Sequence, residues 1–331
     1  MDECILPASS SAYVVQRPAY IIAQGIQITI SLVTIVIVLC WRTFITKQLL
    51  NKNAITLMSY ILFSIALHAV VFAGTQIHHI VYDFIFAQTQ CDYLFTNFTC
   101  MFVKIFTQCF NINLPLLFIC LCIERTVATA SLQNYTESTT IILRLLPILM
   151  SALSIIASTL VYYVDADDSL NSASCLFTTL AAWDRVNAMY YSLVGINLTS
   201  VVWMFGLYLQ NRRLELGISN SITPFTSRYQ IKENLHVTRT ILLCGSVQLI
   251  VTLCHESANL IRRSLSGVID TFLYRELAVF SYLITYANLA FIVVLYYLLQ
   301  LQLKAKRNIV SRDISTRKEN SAGGYFTRYA W

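Results

Sequence analysis

Seven stretches of this chain run for about twenty residues or more with almost no charge: Ala19–Trp41, Ala54–Gln76, Met101–Ile123, Thr140–Tyr163, Asn187–Leu209, Arg239–Ile261 and Leu277–Leu301. As a helix, each is long enough to cross a hydrocarbon core about 30 Å thick. Lipid offers no hydrogen bonds to an open backbone, so spans must be helices or closed barrels, and the alternation of a barrel strand is absent here. The chain is therefore read as an all-α membrane protein, a seven-helix bundle over residues 1–331 with a polar, basic tail at 302–331. Composition agrees: 56% of the 331 residues are apolar and 12% charged, where a soluble chain carries about 25% charged residues. Disorder, collagen, a disulfide-stapled miniprotein and nucleic-acid binding are excluded, and 9 glycines leave no room for a Gly-rich nucleotide fold.

An odd number of spans puts the two termini on opposite sides. Seventeen of the 23 Lys and Arg residues fall on one side, in the loops that hold Arg42, Arg144 and Arg212 and in the tail that holds Lys304 and Arg317. The positive-inside bias places that side, with the C-terminus, in the cytoplasm and the N-terminus outside. Arg262, Arg263 and Arg275 oppose the bias in the third outer loop, beside Asp270 and Glu276. The start, Met1-Asp2-Glu3-Cys4, is acidic and no short apolar run follows it, so no cleaved signal is read and the first span is expected to direct insertion.

Of ten cysteines, Cys40, Cys109, Cys120, Cys122, Cys244 and Cys254 lie within spans, where they are read as small buried hydrophobes. Cys4, Cys91, Cys100 and Cys175 face the oxidising side. Four cysteines allow three pairings. The expected one is Cys100 to Cys175, tying the outer end of helix 3 to the second outer loop; the alternative is Cys91 to Cys100 within one loop. Asn97-Phe98-Thr99 is an outer glycosylation sequon. The second outer loop also carries Asp165, Asp167, Asp168 and Asp184, at most an acidic lid.

Ionisable groups inside spans are costly, so each is a candidate site. Helix 3 ends in Glu124-Arg125, where an apolar run meets the inner interface and charge must be paired or snorkel. Nearer the outer side, Lys104 on helix 3 and Glu256 on helix 6 lie at similar depth, and either pair with each other or present complementary charge to a small polar ligand. His255, one residue from Glu256, points elsewhere on the helix; with Tyr282 and Tyr286 it completes the candidate pocket. His68 is read as a helix-to-helix hydrogen-bonding group. Just before helix 6, Arg228, Lys232 and Arg239 recur at spacings of four and seven on one helical face, toward anionic lipid or an acidic partner. Glu233, on a different face, is the candidate second partner of Arg125.

An anchored outer end, seven spans and an acid-Arg pair at the inner end of helix 3 resemble the layout of G-protein-coupled receptors. The rhodopsin-like pattern is departed from: helix 2 has no Asp, helices 5 to 7 have no Pro, and Asn288 is not followed by Pro. A more specific likeness lies in Ser227-Arg228-Tyr229-Gln230-Ile231-Lys232-Glu233-Asn234, which resembles the RYQ-x-x-EN element of nematode serpentine chemoreceptors of the class alpha superfamily, with classes ab, b and epsilon. Glu124-Arg125-x-x-Ala128-Thr129 is similar to their helix 3 motif. The resemblance implies a receptor without catalytic activity or cofactor, in the plasma membrane of sensory neurons and their cilia. It would take a small-molecule ligand from outside and signal to a heterotrimeric G protein. In this layout Glu124 holds Arg125 at rest, and Arg125 is released on activation.

Rival readings are thinner. His78, His79 and Asp83 are a fragment of a zinc site without a complete ligand spacing. A retinal pigment needs a lysine inside the last span, and Lys304 comes after it. A transporter or channel with a polar path through the bundle is the alternative, against which stand the missing repeats and the absence of Gly/Pro-broken helices near the midplane.

Overall fold

The computed structural model describes residues 17–45, 52–86, 95–131, 140–163, 171–172, 175, 182–218, 225–265, 268–301 and 304. The tail, Cys4, Cys91 and the aspartates at 165, 167 and 168 lie outside the described residues, as do the side chains of Asn97 and Arg228. The helices are α1 (Pro18–Ile45), α2 (Lys52–Val81), α3 (Asn97–Ala130), α4 (Thr140–Tyr162), α5 (Trp183–Ile218), α6 (Phe225–Ser264) and α7 (Thr271–Phe280). A final helical run, α8, covers residues 284–301. Seven segments are long and apolar enough to span a membrane, the last being Glu276–Leu301. The protein is a seven-transmembrane bundle. Contacts divide the chain into a unit at 1–292 and another from 293; the packing described below belongs to the first.

Lipid tails are as apolar as Leu, so burial of apolar surface does not drive the helices together; close packing and hydrogen bonds do. The burial pattern follows. Leu39, Phe63 and Leu160 stand exposed toward the hydrocarbon, while Gln24, Gln76, Asn113 and Asn197 are buried inside. Helix α3 is the axis: 67% of its apolar window is buried, against 22% for α4 and 28% for α1. That position allows amides and even charges on α3, where every residue from 107 to 129 is buried or half-buried; Phe102 and Phe106 nearer the outer end are exposed. Amide pairs sew the seams: Gln24 Nε2 donates to Gln76 Oε1 at 2.8 Å between α1 and α2. Asn113 donates to Ser64 Oγ on α2 at 3.2 Å and accepts from Ser151 on α4 at 3.2 Å. Cys40 and Cys254, expected to be buried, are exposed on the bundle surface, because a small apolar thiol is as compatible with lipid as with a core.

Two observations go beyond the expected straight spans. Helices α5 and α6 have 36 and 40 residues, about 54 and 60 Å at 1.5 Å per residue, so both run past a 30 Å core. Helix α6 starts at Phe225, and the whole Arg228–Asn234 motif is helical. The seventh span, by contrast, is broken: residues 281–283 leave the helix between α7 and α8 without a Pro or Gly. Backbone freed at membrane depth survives only where protein satisfies it. Here Gln27 of α1 donates to the Val279 carbonyl at 2.7 Å, and His255 Nδ1 of α6 donates to the Ser281 carbonyl at 2.7 Å. The break is thus held from both sides.

At the outer end, Cys100 at the start of α3 is bonded to Cys175. A two-residue antiparallel pairing stands beside it, Phe95 opposite Ser172 and Thr96 opposite Asn171. Closing a loop of 75 residues contributes about 2–4 kcal/mol, mainly by restricting the unfolded chain. Cys100→Ser and Cys175→Ser are expected to lower the thermal midpoint of the purified receptor by the same amount, about 5 °C. The double variant is expected to match either single one, since both remove the same bond. A double variant clearly less stable than the singles would show a second role for one sulfur.

Candidate functional site

Consecutive helical residues point about 100° apart, so both can be buried only where the helix is enclosed. Helix α3 meets that condition at its inner end, where Glu124 and Arg125 are both 0% exposed. The Arg125 guanidinium donates through Nε and Nη2 to the two carboxylate oxygens of Glu124. Such two-toothed pairing lets a guanidinium stay charged away from water. The third nitrogen, Nη1, reaches Asn234 Oδ1 of α6 at 3.4 Å, and Asn234 Nδ2 donates to the Ala128 carbonyl of α3 at 3.0 Å. A neighbouring amide, Asn211 of α5, donates to Thr129 Oγ1 at 3.2 Å and to Thr238 Oγ1 at 3.4 Å. Three helices are therefore latched around the arginine by uncharged amides.

Glu233 is the candidate second partner of Arg125. Asn234, beside it in the same motif, makes the contact given above, and Glu233 is half-buried. Lys232 and Arg239 are exposed on the inner part of α6. The signal that finds Asn211 and Asn234 is their residue type: an amide in or next to an apolar span is usually turned to another helix.

The outer half of the bundle holds two cavities that share Tyr190 and His255 as walls. The outer one, about 50 Å³, is lined by Lys104, Arg262, Arg263 and Asn259, with Cys175 of the disulfide at its side. The deeper one, about 30 Å³, is lined by Glu256, Gln248, Asn197, His68 and Asn288. Between them runs a polar network across four helices. His68 Nε2 of α2 donates to the Tyr282 hydroxyl at 3.1 Å, and Asn288 donates to His68 Nδ1 at 3.1 Å. Asn111 of α3 donates to the same hydroxyl at 3.3 Å and to Gln108 at 3.0 Å, and Gln108 donates to Tyr190 of α5 at 3.2 Å. His68 thus bridges helices, the role expected of it.

Of the five candidate pocket residues, Lys104, His255, Glu256 and Tyr282 line these cavities, but Lys104 and Glu256 line different ones. His255 and Glu256 are both buried, and His255 turns to the Ser281 carbonyl and lines both cavities while Glu256 lines the deeper one. Tyr286 is the correction. It is 37% exposed on the outside of the bundle. Four residues apart in one helix, Tyr282 and Tyr286 would share a face; the break at 281–283 takes Tyr282 out of that register. Tyr191 and Phe280 also face outward, and Tyr190 takes the inward place on α5.

Comparison with known proteins agrees with this architecture. A family model described as the serpentine type 7TM GPCR chemoreceptor Sra matches residues 8–323. Serpentine receptor class alpha-10 of Caenorhabditis elegans is 24% identical over 277 residues, 82% of this chain and 80% of that protein. Serpentine receptor class beta-17 of the same organism is 23% identical over 256 residues, 73% of this chain and 67% of that protein. A seven-span bundle, an Arg-centred inner latch and a match over nearly the whole length together make this chain a member of the Sra family of serpentine, GPCR-type chemoreceptors.

Proposed function

We propose that this chain, at the plasma membrane of sensory cells, binds a small molecule from the outer side and activates a heterotrimeric G protein through Arg125. The observation that carries the reading is a fully buried Glu124–Arg125 pair tied to α6 by Asn234. A buried charge deprived of its partner costs about 3–5 kcal/mol, so the guanidinium stays covered unless something replaces the contacts it loses. An opening of α6 away from α3 removes Asn234 and presents Arg125 to the inner side, where a docking helix takes up its donors. Lys232 and Arg239, exposed along α6, suit an acidic contact, and Arg228, four positions before Lys232 in the sequence, is proposed to join them. Glu233 is the further restraint proposed beside Asn234. The outer cavities are the proposed ligand site; the network from His68 to Tyr190, which joins α2, α3, α5 and the seventh span in one cluster, supports that reading. Asn97, at the outer start of α3, is the proposed glycan site.

Arg125→Ala is expected to abolish the ligand-evoked second-messenger response of cells expressing the receptor, when the response is normalised to receptor at the surface. A full response in that variant overturns the coupling role. Asn234→Ala is expected to do the opposite and raise basal signalling by about three- to twentyfold, because an interhelical hydrogen bond in a membrane contributes about 0.6–1.7 kcal/mol. The measurement is second messenger without ligand, normalised to receptor at the surface; a lowered or unaltered basal level counts against the latch.

A further inference from the structure

The two outer cavities have opposite chemistry. In the deeper one, Glu256 Oε1, Gln248 Oε1, Asn288 Oδ1 and Asn197 Nδ2 have no hydrogen-bond partner. All four residues are at least nine-tenths buried. Three of these atoms are acceptors and one belongs to a carboxyl group, so the complement is a cationic group rich in N–H; a protonated amine offers N–H donors and no acceptor. The outer cavity is lined by Lys104, Arg262 and Arg263 and, among the described lining residues, by no carboxylate. Arg262 lies over the Tyr274 ring at 4.7 Å and Arg263 over the Trp183 ring at 5.7 Å, which fixes both guanidinium groups while their Nε atoms have no hydrogen-bond partner. Its complement is an anion that accepts several hydrogen bonds, as a carboxylate does.

The two demands belong to one molecule. Glu256 and Arg263 are seven residues apart on one face of α6, about 10 Å of rise, and both side chains are long enough to shorten that gap. A plain amine would have to pass the basic outer cavity, which repels it; a plain acid would stop there and leave Glu256 and its neighbouring amides unsatisfied. A molecule with both charges and no net charge meets neither obstacle. We propose that the paired cavities bind a small zwitterion of the amino acid type, its ammonium group on Glu256 and its carboxylate on Arg262 and Arg263. The inference rests on the receptor reading above, for which it supplies the chemical class of ligand.

The test uses the purified full-length receptor and thermal midpoint as the measure of binding. The probes are the protein amino acids and straight-chain ω-amino acids, each beside its decarboxylated amine and its des-amino acid. At least one zwitterion is expected to stabilise the receptor, with its amine and its acid binding at least about tenfold more weakly. Glu256→Gln is expected to weaken that zwitterion by about 100-fold while leaving the des-amino acid unaffected. The double variant Arg262→Gln/Arg263→Gln is expected to weaken the zwitterion and spare the amine, and it carries the test alone if Glu256→Gln does not purify. The proposal is overturned if no zwitterion shifts the midpoint, if an amine or an acid alone stabilises as strongly, or if Glu256→Gln binds the zwitterion as well as wild type. No G protein is present in this assay. Zwitterion binding without any cellular response would sink the coupling reading and leave this one standing, whereas signalling to an uncharged compound without zwitterion binding would overturn this one alone.

Discussion

Lipid cannot accept or donate a hydrogen bond, and every polar group carried into it must find its partner within the chain. That constraint explains the inverted character of the bundle, with Leu and Phe outside and Gln, Asn, His and a Glu-Arg pair inside. It also explains why the amides sit where helices meet. Gln24 with Gln76 and Asn113 with Ser64 are the contacts that replace the missing apolar driving force between spans. The same rule selects α3 as the carrier of Glu124 and Arg125, since only an enclosed helix can satisfy two charged residues on adjacent positions.

How much of this was legible beforehand depends on whether a feature is set by length or by neighbours. The seven spans follow from run length against a fixed bilayer thickness, and the observed segments differ from the expected ones mainly in extending further at their ends. Cys100–Cys175 is the expected pairing of the outer cysteines, and the structure forms it. The break at 281–283 could not be read, because no Pro or Gly marks it. It exists because Gln27 and His255, distant in sequence, stand ready to take up the carbonyls. An unbroken helix would put Tyr282 and Tyr286 on one face; with the break, Tyr282 is buried and Tyr286 is exposed. Asn234 is an addition that charge alone does not flag: its amide supplies an acceptor for the Arg125 guanidinium and a donor for the Ala128 carbonyl together.

The two regions of interest are built on the same pair of helices. Helix α3 contributes Lys104, Gln108 and Asn111 at the outer half and Glu124 with Arg125 at the inner end; α6 contributes His255 and Glu256 above and Asn234 below. From Asn234 to Glu256 is about 33 Å along the helix axis. A rigid helix of that length turns a small tilt at one end into a displacement at the other, so coupling needs no chain of intermediaries, only a change in the angle between α3 and α6. His255 adds a specific handle, because it binds the broken backbone of the seventh span while its neighbour Glu256 lines the deeper cavity.

Magnitudes decide whether such a lever works. The uncharged part of the inner latch consists of a few interhelical hydrogen bonds, each contributing about 0.6 kcal/mol on average and less than about 2 at most. Their sum is a few kcal/mol, enough to keep an active arrangement near the one per cent level. To bring the two arrangements to equal population from there, a ligand needs a differential affinity of about 3 kcal/mol, half of what a complete reversal requires. Satisfying one buried carboxyl group and the amides around it is of that order. On the proposed function, the amide contact of Asn234 to Arg125 is a restraint of a size that a small ligand can offset.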